Sequence, residues 1–411
     1  MDAKPEAAAD AFPPPRSSVP HTGAAASNRI EGLDGLRAVS ILFVLIGHGA
    51  HTSGAPGFMR PFGEMGIVGV EVFFTISGFI ITHLLLREHE RSGCVDLRRF
   101  WMRRVLRIVP PFCAATLGIV LAAAAGVLQW HWLSFISAIT LSKDTPLLPG
   151  DWFFGHIWSL SLEEQFYLLW PLVFALALDR RRTMMILALL VVGSALITPL
   201  TVAHARPLQN IVPYLPHLAA GCLLALALHA SREPPWLRRY RALPTRSLII
   251  AALCVAAVVV AWLRGRDLQD LRWTPLYALL VPLCALLLIA EVVWPDGRLH
   301  RLLSAPSLRW LGRISYSLYL WQQLFFGPDD AYLHPWLWSS WPFNLFAAIG
   351  CGALGYYLVE KPSARLKRHF ERRADGTSAK GKPSRFGRDP MSCPSSAKAR
   401  PGGIPLRRGM P

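Results

Sequence analysis

The sequence predicts an all-α fold: a polytopic integral membrane helix bundle of about ten transmembrane helices, with both termini cytoplasmic. Three observations carry that expectation. Of the 411 residues, 53% are hydrophobic and 17% charged, a balance that suits a multi-pass membrane protein better than a soluble enzyme. Apolar runs long enough to cross a bilayer recur ten times. Arginine concentrates in alternate connections between those runs.

The cores of the runs are Leu33 to Ala50, Gly66 to Leu86, Val105 to Leu128, Ile157 to Leu178, Met184 to Thr201, Ile211 to His229, Ser247 to Leu263, Thr274 to Trp294, Leu311 to Phe326 and Phe343 to Val359. An even number of spans puts both termini on one side. The connection after the second run carries Arg87, Arg91, Arg98, Arg99, Arg103, Arg104 and Arg107. The connection after the fourth carries Arg180, Arg181 and Arg182, and the one after the sixth Arg232, Arg238, Arg239, Arg241 and Arg246. The alternate loops are poorer, with Arg60, then Lys143, then Arg206, then Arg264, Arg266 and Arg272, and no basic Lys or Arg between Gly327 and Ser340. The positive-inside rule therefore places the termini in the cytoplasm of a bacterial-type inner membrane.

Residues 1–29, rich in Ala and Pro, lack the apolar core of a signal peptide and read as a disordered cytoplasmic arm. Residues 30–362 form the membrane domain, and residues 363–411 a basic, disordered cytoplasmic tail. The net charge of +17 is distributed as membrane topology requires, so the expected partner is membrane lipid and not nucleic acid. The seven cysteines show no CxxC pair and no metal-ligand spacing; they read as small core residues, with no structural disulfide and no metal.

Within the first run, Arg37 and His48 stand eleven positions apart. On a helix that is roughly 16–17 Å and close to three whole turns, so a guanidinium and an imidazole face one side of an apolar helix. Ionisable groups inside a membrane helix mark functional sites; interfacial anchoring by Arg37 and a helix-to-helix hydrogen bond from His48 are the plainer reading. The second run places Glu71 in its first turns, a position the helix dipole also favours, and Ser77 with Gly78 near mid-depth, where small residues also allow close packing. Arg99, Arg103 and Arg107 repeat every four residues as a basic stripe, suited to gripping phosphate or to anchoring at the interface. In the fourth run Glu163 and Glu164 diverge by about 100°. Ser159, Glu163 and Tyr167 share a face, which favours Glu163 as the cavity-facing carboxylate, with Glu164 the alternative. Ser315, Tyr319 and Gln322 align similarly in the ninth run, for hydrogen bonding.

Taken together, DGLRAVSILFVLIGH, GVEVFFTISGFIIT, RRFWMRRVLRIVPPF, WSLSLEEQFYLLWP, GRISYSLYLW and the closing VEKP resemble, in order, the membrane-bound acyltransferase family 3, O-acetyltransferases that decorate cell-surface polysaccharides. The resemblance implies a cytoplasmic acetyl-CoA or other acyl-CoA as donor substrate, and an extracytoplasmic carbohydrate or glycolipid as acceptor. It also implies functional roles for Arg37, His48 and Glu163. Asp34 falls inside the first motif. Two departures stand out. Gln322 occupies a place commonly held by His, and YLPHLAAG, with His217, replaces a motif that often contains Arg.

The leading reading is an O-acyltransferase in which His48 is the general base. Arg37 and the Arg99–Arg103–Arg107 stripe hold the cofactor's phosphates, and Glu163 orients the histidine or balances its charge, with Glu164 and Glu71 the other candidate catalytic carboxylates. The rivals are a proton-coupled transporter whose relay runs through His48, Glu71 and Glu163, and an inactive scaffold among glycan-assembly proteins.

Overall fold

A computed structural model describes residues 30–145, 151–176, 180–204, 208–230, 234–264, 274–294, 297–334 and 336–366. The arm at 1–29 and the tail from 367 onward lie outside the described residues. Among the described residues, fourteen α-helices follow in order. They are α1 (Glu31–Gly49), α2 (Met65–Ser92), α3 (Leu97–Ala124), α4 (Trp132–Ile139), α5 (Trp152–Gly155), α6 (Ile157–Leu176) and α7 (Arg180–His204). Then come α8 (Leu215–Ala230), α9 (Pro235–Ala242), α10 (Arg246–Arg264), α11 (Pro275–Val293), α12 (Arg298–Leu303), α13 (Pro306–Gln322) and α14 (Phe343–Gly355). A π-helical turn, Tyr356–Glu360, continues α14. No strand occurs among the described residues; Leu128 and Tyr332 make one isolated bridge.

Among the described residues, each of the ten apolar runs falls on a helix, and seven of those helices are long and apolar enough to cross a membrane by length and composition: α1, α2, α3, α7, α8, α11 and α14. The other three are α6, which carries Glu163 and Glu164, α10, and α13 with 17 residues. Part of the polar content of α6 and α13, Ser159 and Glu163 on one and Ser315 and Tyr319 on the other, turns toward a shared cleft, described below.

The bundle is built around α1 and α2. Helix α1 packs between α2 and α13, α2 lies along α8, α11 touches α2, α7 and α8, and α14 covers α13. Small residues permit the tightest of these approaches. A side chain at Gly78 would meet the Leu218 carbonyl, and one at Gly221 the Thr75 carbonyl, so α2 and α8 come within backbone contact. Leu189, Leu196 and Leu200 on α7 and Leu168, Leu169 and Val173 on α6 are exposed, an outer surface suited to hydrocarbon. Among the described residues Cys113, Cys222, Cys254, Cys284 and Cys351 are free thiols.

Candidate active site

Helix α1 sets the frame. Arg37 Nε donates to Ser315 Oγ at 3.3 Å, and His48 Nδ1 meets Gln322 Oε1 at 2.8 Å. Residue numbers rise together in both pairs, so α1 and α13 run parallel, and the face of α13 that carries Ser315, Tyr319 and Gln322 follows the cleft from one end to the other. Asp34 is buried where Gly312 of α13 packs on its carbonyl, which locks the two helices at the Arg37 end.

A cavity of about 50 Å³ opens beside Arg37, walled by Phe73, Phe74, Ser159, Glu163, Ser315, Tyr316 and Tyr319. The Arg37 guanidinium lies 5.5 Å from the centre of the Phe73 ring. Glu163 accepts hydrogen bonds from Ser77 Oγ and Tyr167 OH, and Tyr167 OH lies 3.1 Å from Ser77 Oγ. The i, i+4, i+8 face of α6 thus points as its spacing requires, and Glu163 is the carboxylate on the cavity wall. Glu164 turns instead toward the charges of Arg104 and Arg107, with one buried carboxylate oxygen unbonded.

The basic stripe on α3 divides. Arg99 pairs with Asp96, the residue that caps its helix, at 3.1 Å, and Arg103 pairs with Glu88 at 2.6 Å. Arg107 stays beside Arg37, within electrostatic range of it. Arg104, which a four-residue repeat leaves out, lies 4.5 Å from the centre of the Tyr167 ring and within electrostatic range of Arg107. The adjacent pair Arg103 and Arg104 in RRFWMRRVLR is the available signal; only the packing of α3 on α6 says that Arg104 is the member that meets Tyr167.

At the other end, the Gln322 amide fixes the chemistry of His48. Its nitrogen points to Gln323 Oε1 at 3.5 Å, so its oxygen faces the histidine and accepts from Nδ1–H. A neutral imidazole with its proton on Nδ1 carries its lone pair on Nε2. Trp152 packs edge-on to the His48 ring, with centroids 5.5 Å apart, and is held by Gln323 through two bonds, at 2.6 and 3.2 Å. His156 lies next to this group and was not singled out from the sequence. Its ring is edge-on to Tyr319 at 5.3 Å, and Tyr319 OH donates to the His156 carbonyl at 2.9 Å while lying 2.6 Å from Ser159 Oγ. Beyond His48 the chain opens into a polar bowl of about 440 Å³ lined by Ala50 to Ala55, Arg60 and Asp329.

Glu71 does not join this assembly. It is 2% exposed, accepts from Tyr277 OH at 2.8 Å and sits 3.8 Å from His217 Nε2, on the side of α2 that faces α8 and α11. Six helical steps separate Glu71 from Ser77, which turns them about 120° apart. Glu360, in the closing VEKP motif, is buried in the π-helical turn and accepts from Ser317 Oγ at 2.7 Å.

A family profile described as "Acyltransferase domain" matches residues 30–359. "Putative peptidoglycan O-acetyltransferase YrhL" of Bacillus subtilis is 29% identical over 372 residues, 81% of this chain and 54% of the relative. "Peptidoglycan O-acetyltransferase OatA" of Listeria monocytogenes is 27% identical over 319 residues, 71% of this chain and 48% of the relative. The chain therefore spans about half the length of these curated relatives. No solved structure matches it. The matched profile begins ahead of Arg37 and ends beyond Gln322, so the whole cleft lies inside it, and the chain belongs to the membrane acyltransferase family that its motifs resemble.

Proposed function

We propose that the chain is an acyl-CoA-dependent O-acyltransferase of the inner membrane, moving an acetyl or other short acyl group to a hydroxyl of an extracytoplasmic carbohydrate or glycolipid. The observation that carries this reading is the held state of His48: Gln322 accepts a hydrogen bond from Nδ1–H and leaves Nε2 basic, on the same helix that presents Arg37 at its other end. A base and an anion-binding group are thus placed at two ends of one cleft.

In this reading the acyl-CoA arrives from the cytoplasm at Arg37, Arg104 and Arg107, whose guanidinium groups meet its phosphates. Its thiol arm lies along the cleft past Glu163, which balances Arg37. The acceptor enters by the polar bowl from the opposite face, an orientation supported by the arginine bias of the connections. His48 Nε2 takes the hydroxyl proton as the oxygen attacks the thioester carbonyl. The C–S bond breaks, and the proton passes to the departing thiolate. The names of the relatives point to peptidoglycan sugars as the acceptor class. The groups that a transporter's proton relay would join are separated, since Glu71 bonds Tyr277, Glu163 bonds Ser77 and Tyr167, and His48 bonds Gln322.

The test is thiol release from acetyl-CoA by the purified protein in detergent, with and without peptidoglycan fragments. Acceptor-stimulated release with acetylated product supports the reading; no release from protein that binds acetyl-CoA refutes it.

A further inference from the structure

Among the described residues, His156 is the one buried histidine whose two ring nitrogens both lack a hydrogen-bond partner. It is 4% exposed. The Leu320 carbonyl lies near the ring but outside hydrogen-bond geometry. Buried polar groups are almost always satisfied, and an exception calls for a ligand or a chemical role.

The position of the ring argues for a role. His156 directly follows α5, the short helix that starts at Trp152, the residue packed on His48. Tyr319 on α13 packs on His156, and Gln322, three residues further along α13, holds His48. The two histidines therefore dock on one face of α13, about one turn or roughly 4.5 Å apart along its axis. The buried N–H and O–H groups named around His48 are engaged. Its own Nδ1 goes to Gln322, Gln322 turns to Gln323, and Gln323 and Trp152 bond each other. Tyr319 donates to the His156 carbonyl. Among the buried groups described at this level of the cleft, the His156 ring is the one left without such a partner. Buried without a carboxylate, it is neutral and carries one N–H.

We propose that His156 is a catalytic residue that donates its ring N–H to the carbonyl oxygen of the acyl thioester. The assignment rests on the acyl-transfer reading above. As the acceptor hydroxyl oxygen bonds to the carbonyl carbon, its proton goes to His48 Nε2 and the carbonyl π pair moves onto oxygen, where the His156 N–H meets it. The carbonyl then re-forms, the C–S bond breaks, and the thiolate takes the proton from His48. His156 keeps its proton throughout. A preorganised hydrogen-bond donor aimed at developing charge acts on the transition state more than on bound substrate.

The test compares His156→Phe, which fills the space without a donor, with His156→Gln, which keeps an amide N–H. The full chain in detergent is assayed by thiol release from acetyl-CoA. Phenylalanine is expected to lower kcat by about 10²–10³-fold with acetyl-CoA affinity unchanged, glutamine to recover at least about tenfold of that loss, and both to keep the wild-type pH profile, because the base is His48. Should the phenylalanine chain not assemble, His156→Met, equally without a donor, replaces it. Wild-type kcat in the donorless variant, affinity falling in step with rate, or glutamine as slow as phenylalanine each overturns the assignment. A wild-type protein that binds acetyl-CoA yet releases no thiol overturns the acyl-transfer reading itself, which is a different outcome from an active enzyme indifferent to residue 156.

Discussion

Gln322→Leu separates a positioning role for Gln322 from simple core filling. Gln322 is fully buried and leucine has similar bulk, so the bundle should assemble with little change. What disappears is the acceptor 2.8 Å from His48 Nδ1. A buried N–H left unsatisfied costs about 1–3 kcal/mol, and that penalty falls only on the tautomer that keeps Nε2 basic. The ring escapes by moving its proton to Nε2, the form that cannot accept a proton from the acceptor hydroxyl at that atom. With about 1.4 kcal/mol per factor of ten, kcat should fall about 10- to 100-fold, less than the about 10²–10⁴-fold expected of His48→Ala. The assay is single-turnover acyl transfer from acetyl-CoA, read beside acetyl-CoA affinity, which should hold. Gln322→His, which offers a ring nitrogen as acceptor, should retain most activity. In a His48→Gln background, Gln322→Leu should cost nothing further, since the two residues act as one unit. A wild-type rate for Gln322→Leu, or losses that multiply in the double variant, would refute the reasoning.

Four further outcomes are expected. Arg37→Lys keeps the charge but loses the planar fork that suits phosphate, so acyl-CoA binding should weaken about 10- to 100-fold by calorimetry; unchanged affinity would leave Arg37 as an interfacial anchor. Glu163→Gln should slow transfer by about tenfold and more than Glu164→Gln does, because only Glu163 lines the cavity; equal losses would remove that distinction. A cysteine placed at Asp330 should react with impermeant reagent from outside the cell, and labelling from the cytoplasmic side alone would invert the topology. Burial holds the Asp144 carboxyl above the usual carboxylate range, outside the spans and despite two contacts from Gln165 at 3.1 Å. A raised folded value means stability that is present in acid and lost as pH rises through that value. The melting-temperature advantage of Asp144→Asn over wild type should therefore grow from acid to neutral pH, and a constant difference would count against it.

What the sequence by itself determined is angular and local. Arg37 and His48 share a face because eleven steps nearly close three turns; Ser159, Glu163 and Tyr167 share one because four-step spacing keeps a face; the apolar runs become helices because each is long enough to satisfy its own backbone away from water. Ser315, Tyr319 and Gln322 line one side of α13 for the same reason, and each touches a different part of the cleft. The tertiary structure decided how those faces are rotated against one another. It turned Glu163 inward and Glu164 toward Arg104 and Arg107, drew Glu71 away to Tyr277 and His217, and gave Arg99 and Arg103 to Asp96 and Glu88. It also brought Gln322 to His48 across 274 positions and set His156 beside them. Helical periodicity relates residues within one helix, whereas the rotation of a helix about its own axis is settled by packing against its neighbours, as at Gly78 and Leu218, where two backbones meet.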